Sequence, residues 1–143
     1  MSTVRDILAI KGHAVWTVTP ETSVYDALGT MADKNVGALV VVEGGSVAGI
    51  FSERDYARKV EIKGKNSRDV RVQEIMTSNP VSVHPEQSIE ECMEIMNSKH
   101  IRHLPVLEAQ KLAGMITIRD AIKVVISEKE HTIRHLENYI KGT

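Results

Sequence analysis

An internal repeat constrains the fold more than any other feature of this sequence. A shift of 65 residues aligns residues 18–55 with residues 83–120 without a gap. The identical pairs include Val18/Val83, Pro20/Pro85, Glu21/Glu86, Ser23/Ser88, Met31/Met96, Lys34/Lys99, Leu39/Leu104, Val41/Val106, Glu43/Glu108, Gly49/Gly114, Arg54/Arg119 and Asp55/Asp120. A repeat of this length indicates two copies of one supersecondary unit.

Each copy predicts the same order of elements: strand, helix, strand, strand, helix. Short extended segments at residues 16–18 and 81–83 are followed by a proline, which disfavours helix in the residue before it. Apolar residues within 24–31 and 89–96 recur at spacings of three and four, as in a helix with one buried face. A serine stands before each helix in the position of an N-cap.

Two apolar runs in each copy predict a pair of strands. They cover residues 38–42 and 47–51 in the first copy and residues 104–107 and 112–116 in the second. Runs of this kind suit a sheet with at least one covered face. The polar stretch at residues 63–71 is the expected connection between the copies.

These patterns predict an α/β (α+β) fold of two repeated β-α-β-β-α units followed by a C-terminal helix. The predicted boundaries are residues 1–68 for the first repeat with an N-terminal segment, 69–126 for the second repeat and 127–143 for the helical extension. The helical stretch from residue 120 to residue 141 carries an apolar stripe formed by Ile126, Ile133, Leu136 and Ile140. The stripe can close the chain's own core or contact a second copy, and the sequence leaves both open.

Composition narrows the classes of partner. The 143 residues carry a formal net charge of −1, with acids and bases interspersed, so no overall charge draws the chain to duplex DNA or to an anionic membrane. The sequence has neither a long apolar run nor a signal-like N-terminus. Its one cysteine, Cys92, cannot form an internal disulfide. We therefore expect a cytoplasmic protein with no membrane partner.

Two matching segments carry the richest chemistry: G-I-F-S-E-R-D at residues 49–55 and G-M-I-T-I-R-D at residues 114–120. Each places a hydroxyl, an arginine and a carboxylate where a strand meets a helix. Helix-start amides and arginine favour phosphate, and the carboxylate can accept hydrogen bonds from the two hydroxyls of a ribose. The combination indicates a nucleotide site. A simple capping box, which needs no ligand, is the competing interpretation, although a cap does not require the adjacent arginine.

Further motifs identify a family. T-P-E-x-S-V at residues 19–24, H-P-E-x-S-I at residues 84–89 and H-I-R-H-L-P-V at residues 100–106, together with the two repeated endings, resemble tandem CBS (cystathionine-β-synthase) domains. The resemblance covers about residues 4–126. It implies two repeats packed through their sheets with pseudo-two-fold symmetry, and clefts for adenosine ligands such as AMP, ADP, ATP, NAD or S-adenosylmethionine. It also implies a stand-alone regulatory homodimer that acts on an effector protein and requires no cofactor.

The resemblance assigns residues to two clefts, each of which draws on both repeats. The first cleft would be formed by Ser52, Arg54, Asp55, Val83, Ile101, Arg102 and His103. The second would be formed by Thr19, Val36, Gly37, Ala38, Thr117, Arg119 and Asp120. Because a Gly-Ala pair in one lining corresponds to an Arg-His pair in the other, we expect the two clefts to differ in charge.

Two other functions compete with the ligand sensor. A nucleotide-processing enzyme would use His103 as a base with Asp55 or Asp120 assisting, but these carboxylates suit ribose binding better than acid/base chemistry. A nucleic-acid regulator would depend on the basic residues between 58 and 71, which a solvated linker explains more simply. We therefore predict no catalytic residues. We also predict no metal site, because the histidines have no set of further ligands at zinc spacing.

Overall fold

The computed structural model describes residues 2–142. It contains the predicted helix, strand, strand and helix of each repeat, together with two short helices and one short strand that the sequence did not predict. The helices are α1 (Val4–Lys11), α2 (Val24–Lys34), α3 (Glu53–Tyr56), α4 (Val72–Ile75), α5 (Ile89–Lys99) and α6 (Ile118–Ile140). A π-helical segment, Ala57–Glu61, continues α3. The strands are β1 (Thr17–Val18), β2 (Ala38–Glu43), β3 (Ser46–Ser52), β4 (Thr77–Ser78), β5 (His103–Glu108) and β6 (Lys111–Thr117).

The two repeats form equivalent hairpins. In the first repeat β2 pairs antiparallel with β3, and in the second β5 pairs with β6 in the register shifted by 65 residues. Both hairpins have an irregularity at the same position, after Val41 and after Val106. In the first repeat β1 and β4 extend the hairpin to a sheet ordered β1-β2-β3-β4, with β1 parallel to β2. The expected α+β fold of two repeats is therefore confirmed.

The first strand of the second repeat is reduced to one bridge, between Val83 and Val106. In the first repeat the N–H of Val40 donates to the carbonyl of Trp16 at 3.2 Å. The equivalent residue in the second repeat is Pro105, which has no N–H to donate. The missing donor explains why the predicted strand at residues 81–83 is shorter than its counterpart.

Serine caps start the two equivalent helices as the sequence predicts. Ser23 accepts a hydrogen bond from the N–H of Asp26 at 3.0 Å, and Ser88 accepts one from the N–H of Glu91 at 3.1 Å. These bonds satisfy amides that the helix itself leaves unpaired. The apolar stripes of both helices then face a core, as expected from their spacing.

Each of the short helices α1 and α4 packs in the core of the repeat that it does not directly precede in sequence. α1 precedes the first repeat in sequence, but its residues Val4, Ile7 and Leu8 lie in the core of the second. α4 precedes the second repeat, yet Val72 and Ile75 lie in the core of the first. Each repeat therefore needs a segment from outside its own repeated sequence to close its core.

A third cluster joins the two repeats through their sheets. Ala38, Val40 and Ile50 of the first sheet pack with Met115 of β6, and all four are nearly inaccessible to solvent. The sheets therefore meet in the middle, and the strand-to-helix junctions of both repeats lie beside this contact.

Helix α6 leaves the body of the protein after its first two turns. Ala121 is buried in the second core, with Val124 and Val125 packed against it. From residue 129 to residue 142 the helix and its end are exposed. No helix within residues 2–142 is both long enough and apolar enough to cross a membrane.

Candidate functional site

Each strand-to-helix junction carries a complete capping box. At the first junction Ser52 N and Ser52 Oγ both donate to Asp55 Oδ2 at 3.0 Å, and Asp55 N donates to Ser52 Oγ at 3.2 Å. At the second, Thr117 N donates to Asp120 Oδ2 at 2.9 Å, and Asp120 N donates to Thr117 Oγ1 at 3.1 Å. The boxes use Oδ2 of each aspartate, so the Oδ1 side of each carboxylate lies outside the cap.

A lysine pairs with each of these carboxylates, but from a different element. Lys59, one turn further along the first helix, lies 3.1 Å from Asp55 Oδ1. Lys11, at the end of α1, donates to Asp120 Oδ2 at 2.8 Å. Each lysine also donates to a nearby backbone carbonyl. Because Lys11 lies before the repeated region, sequence duplication does not account for this match.

A cavity of about 930 Å³ opens beside the first junction. This volume is within the range of pockets that hold small molecules. Its walls come from both repeats, since Ser52 and Asp55 belong to the first and Ile101 and His103 to the second. A ligand in the cavity would therefore contact both copies at once.

The cavity lining carries more positive than negative charge. Its cationic residues are Arg54, Arg58, Lys59, Lys99 and Arg102, and its carboxylates are Glu53 and Asp55. Asp55 is the one charged residue that is buried among those the structure describes, with 8% of its surface exposed. The site thus combines a sheltered carboxylate with several cations that can neutralise phosphate.

Six of the seven residues expected in the first cleft line this cavity. They are Ser52, Arg54, Asp55, Ile101, Arg102 and His103. The seventh, Val83, is buried in the second core, where its backbone pairs with Pro105 and Leu107. It lies behind the lining because the bridge to β5 turns its side chain into that core.

The residues expected in the second cleft are more dispersed. Gly37 lines the first cavity instead, because its carbonyl accepts the N–H of Glu53 at the first junction. Ala38 is buried between the sheets, Val36 packs against the first core, and Thr19 bonds to Thr22. Thr117, Arg119 and Asp120 stand together at the second junction.

The two equivalent arginines have different surroundings. Arg54 donates from Nη1 to the carbonyl of His100 at 2.9 Å, which ties the first junction to the second repeat. Arg119 is exposed. The bond uses one of the five N–H donors of Arg54, so the remaining donors are available to a ligand in the cavity.

His103 lies between the two junctions. Its Nε2 is 3.6 Å from the position that a Cβ on Gly37 would occupy, inside the first cavity. Burial lowers the pKa of His103, the charges of Lys11 and Arg102 lower it further, and Asp120 partly opposes them. Since Lys11 and Asp120 belong to the second junction, charges at that junction shift the pKa of His103, although its ring lines the cavity beside the first junction.

The pKa of Asp120 reflects the same arrangement. Burial alone would raise the pKa of this carboxyl, but the hydrogen bonds from Lys11 and from Thr117 N outweigh burial and lower the pKa below its usual value. Asp120 is therefore held as a carboxylate, the form that accepts hydrogen bonds.

Several lining residues were not expected from the sequence. Lys99 belongs to the repeat as the partner of Lys34, but it is not among the residues assigned to either cleft, and neither is Asn79; Arg58 and Lys59 lie in the basic stretch that a solvated linker explains. The four-residue spacing between Asp55 and Lys59 on one helix is a signal that could have identified this ion pair.

The histidines show no metal-binding arrangement. No group of three or more His, Cys, Asp or Glu residues within 2–142 could hold a metal ion. His100 and His103 line the cavity, whereas His131 and His135 lie on the exposed part of α6. Cys92 is buried, and burial raises the pKa of its thiol to about 11.

Comparisons with known proteins agree with the repeat. The model of the CBS domain family matches residues 3–62 and 72–127. The mitochondrial CBS domain-containing protein CBSX3 of Arabidopsis thaliana is 37% identical over 151 residues, which cover 99% of this chain and 73% of that protein.

Solved structures share the fold. A protein with CBS domains from Burkholderia ambifaria is 48% identical, with a TM-score of 0.85 over 88% of this chain and 95% of that one. The CBS domain pair of protein MJ0100, in complex with 5′-methylthioadenosine and S-adenosyl-L-methionine, has a TM-score of 0.76 over 87% of this chain and 99% of its own. At 23% identity the second likeness shows the fold alone.

Proposed function

The chain belongs to the CBS domain family, and we propose that it is a regulatory protein that binds an adenosine nucleotide in the cleft beside Asp55. The observation that carries this proposal is the cavity of about 930 Å³ in which a buried carboxylate lies among five cationic side chains. The carboxylate suits a ribose diol, and the cations suit phosphate.

The position of the cavity supports a regulatory role. Its walls come from both repeats, so a bound nucleotide stabilises their contact and favours one arrangement of the pair. The MJ0100 pair, which shares this fold, binds 5′-methylthioadenosine and S-adenosyl-L-methionine, so a fold of this kind can hold adenosine compounds. AMP, ADP, ATP, NAD and S-adenosylmethionine are the candidates, and the chain then acts as a ligand sensor rather than as an enzyme, with no cofactor required.

The cations favour a small ligand over nucleic acid. They converge on one cavity together with an aromatic-free wall of Ile50, Ile101 and Val81. A protein that binds nucleic acid instead spreads its cations along the phosphate backbone. The partner that reads the ligand is then an effector protein, and the one buried thiol fits a cytoplasmic location.

Nucleotide released from the purified protein tests the proposal directly. We expect heat to release an adenosine compound that mass spectrometry identifies. When this compound is added back to the ligand-free protein at a hundred times its Kd, the free energy of unfolding should increase by about 2.7 kcal/mol. If all five candidates at millimolar concentration leave the Tm unchanged, and no nucleotide co-purifies, the proposal is wrong.

We also propose that the protein is a homodimer that pairs through the exposed stripe of α6. Ile126, Ile133 and Ile140 repeat every seven residues, and Leu136 follows three after Ile133. About half the surface of Ile126, Ile133 and Leu136 is exposed, and more of Ile140. Isoleucine at the first heptad position with leucine at the fourth favours a two-stranded parallel coiled coil. Here Leu136 occupies one fourth position and Lys129 the preceding one.

The charged residues beside the stripe favour a parallel orientation of the two α6 helices. Glu130 and Glu137 flank one side of the seam, and the uncharged Thr132 and Tyr139 flank the other. An antiparallel pair would bring the two glutamate sides together, whereas a parallel pair sets each glutamate side against an uncharged one. Parallel pairing therefore avoids repulsion between like charges.

A further inference from the structure

The connections that follow α1 and α4 differ in length. Leu8 of α1 and Met76 after α4 are equivalent, because each lies against the same glycine position of a hairpin. Nine residues lie between Leu8 and Val18, whereas six lie between Met76 and Val83. Helix α1 continues to Lys11, but α4 ends before Met76. The first connection therefore has three extra residues and an additional helical turn.

The shorter connection forms one wall of the open cavity beside Asp55. Its residues Thr77, Asn79, Pro80 and Val81 line the cavity of about 930 Å³. The ion pair between Lys59 and Asp55 lies at the edge of this cavity and leaves the space open, since Lys59 extends from the same helix one turn further on. A ligand can therefore enter the first cleft.

The additional turn carries Lys11 into the equivalent space of the second repeat. Lys11 Nζ donates to Asp120 Oδ2 and to the carbonyl of Met115, both at 2.8 Å. The counterparts of these two residues, Asp55 and Ile50, both line the first cavity. An ammonium group of the chain itself thus lies at the carboxylate that corresponds to the proposed ribose site.

The residues after Lys11 fill apolar space at the same cleft. Val15 packs against the cluster between the sheets that contains Ala38. Ala38 is the counterpart of His103 in the first cavity, and the family resemblance places it beside the base. His13 Nδ1 donates to the carbonyl of Ala113 at 2.8 Å, which fixes this segment to β6.

The other end of α1 is also attached to the second repeat. Arg5 pairs with Glu86 at 2.6 Å and with Glu108 at 2.8 Å, and the N–H of Val4 donates to the carbonyl of Gln87 at 2.9 Å. Polar contacts at both ends of α1 therefore hold Lys11 at the second junction.

We propose that residues 11–15 occupy the second cleft as an internal substitute for a nucleotide, so that each chain binds one nucleotide rather than two. Lys11 pairs with the carboxylate that would receive the ribose hydroxyls, and Val15 covers apolar surface that would receive the base. This inference depends on the proposed adenosine site and states which of the two clefts is open. The motif of Thr117, Arg119 and Asp120 is intact, so removing the segment's contacts should open the second cleft.

Equilibrium dialysis with radiolabelled AMP at millimolar concentration counts the open sites. We expect the original protein to bind one AMP per chain, and Lys11→Ala combined with Val15→Ala to bind two. The first AMP should bind the variant with a Kd within about twofold of the original value, because the cleft beside Asp55 is unchanged. Lys11→Ala alone changes one partly exposed side chain, so it should fold and also admit a second, weaker AMP.

The outcomes separate this inference from the proposed function. If the original protein binds two AMP per chain, or if neither variant binds a second AMP, the internal substitute is overturned while the adenosine site stands. If the original protein binds no AMP, the proposed function fails as well.

Two further variants locate the new site. Arg5→Ala breaks the exposed ion pairs at the other end of α1 and leaves Lys11 in place, so it should still bind one AMP. Asp120→Asn, added to Lys11→Ala with Val15→Ala, should weaken the second AMP and leave the first unchanged. A second AMP in Arg5→Ala, or an unaltered second Kd after Asp120→Asn, would overturn the assignment of the second cleft to Lys11.

Discussion

Asp55 shows how one side chain can serve both the fold and a ligand. Its Oδ2 completes the capping box with Ser52, while Oδ1 pairs with Lys59 at the edge of the cavity. A ribose diol can replace the lysine as partner of Oδ1 without disturbing the cap. Capping and nucleotide binding are therefore compatible at this residue.

Replacing Asp55 by Asn should separate the two roles. Asn at this third helical position can still accept the N–H of Ser52 through its amide oxygen, but it loses the charge that strengthens hydrogen bonds from ribose. Because a bond to a charged group contributes about 1.5 to 3 kcal/mol, we expect the Kd for AMP to rise by roughly ten- to a hundredfold. Calorimetric titration with AMP measures the Kd. Asp120→Asn is the matched control, and it should leave the affinity of the cleft beside Asp55 for AMP unchanged. An unaltered Kd in Asp55→Asn would rule out a ribose role for this carboxylate.

His103 should make the stability of the protein depend on pH. Its pKa in the folded state is lowered, so the unfolded chain takes up the proton first as the pH falls. Stability should therefore be fully present above the ordinary histidine value of about 6.5 and decrease below it. The lowered pKa of Asp120 acts in a separate window, below about pH 4.

His103→Gln should flatten this dependence. We expect the free energy of unfolding, measured by urea titration without ligand, to fall less between about pH 7 and pH 5 in the variant. His131→Gln, on the exposed part of α6, is the control. A slope that is the same in His103→Gln and in the original protein would contradict the assignment.

At the scale of elements, two equivalent glycines admit the exchanged segments. A Cβ on Gly114 would lie 2.6 Å from Leu8 Cδ2 of α1, and one on Gly49 would lie 2.7 Å from both Met76 Sδ and the carbonyl oxygen of Thr77. Neither strand could carry a side chain here and still receive its neighbour. The glycines thus let each repeat accept a segment from outside.

The loss of stability caused by replacing a glycine with alanine should depend on which atoms the new Cβ contacts. Overpacking costs about 1 to 3 kcal/mol. We expect Gly114→Ala to lie near the lower end, because the Leu8 side chain can rotate, and Gly49→Ala near the upper end, because backbone must move. Gly29→Ala in α2 meets nothing within 4 Å and should stabilise by up to about 1 kcal/mol. Chemical denaturation of the three variants checks the order, and equal losses at the two strand positions would refute it.

At the scale of the whole molecule, α6 should decide the oligomeric state. We expect Ile133→Glu to convert the dimer into a folded monomer of 15.9 kDa, because it puts like charges into the seam. His131→Glu, outside the seam, should remain dimeric. Light scattering at micromolar concentration measures both, and a monomeric original protein would exclude the dimer.

Cross-linking should establish the orientation of the two helices. In a parallel seam the two copies of residue 140 face each other, so Ile140→Cys should form an intersubunit disulfide under oxidation. Ser127→Cys, which lies outside the seam, should not. The natural Cys92 should not compete, because it is buried and its pKa is raised to about 11. A dimer that fails to cross-link at residue 140 would exclude the parallel coiled coil.

The sequence alone determined the repeat, the order of elements and the chemistry of the junctions. These features depend on contacts within one repeat, where spacing along the chain fixes the geometry. Ser52 caps with Asp55, and Thr117 with Asp120, because three residues separate them in each case. Local periodicity likewise places the apolar faces of α2 and α5 toward a core.

The tertiary structure decided what comes together across the repeats. Lys11 reaches Asp120 across 109 positions of sequence, and α1 closes the core of the second repeat rather than the first. Gly37 lies in the cavity beside Asp55 and His103, although the family resemblance assigns it to the other cleft. Such contacts depend on how the two repeats pack against each other. A sequence pattern within each repeat describes only local geometry and does not determine this packing.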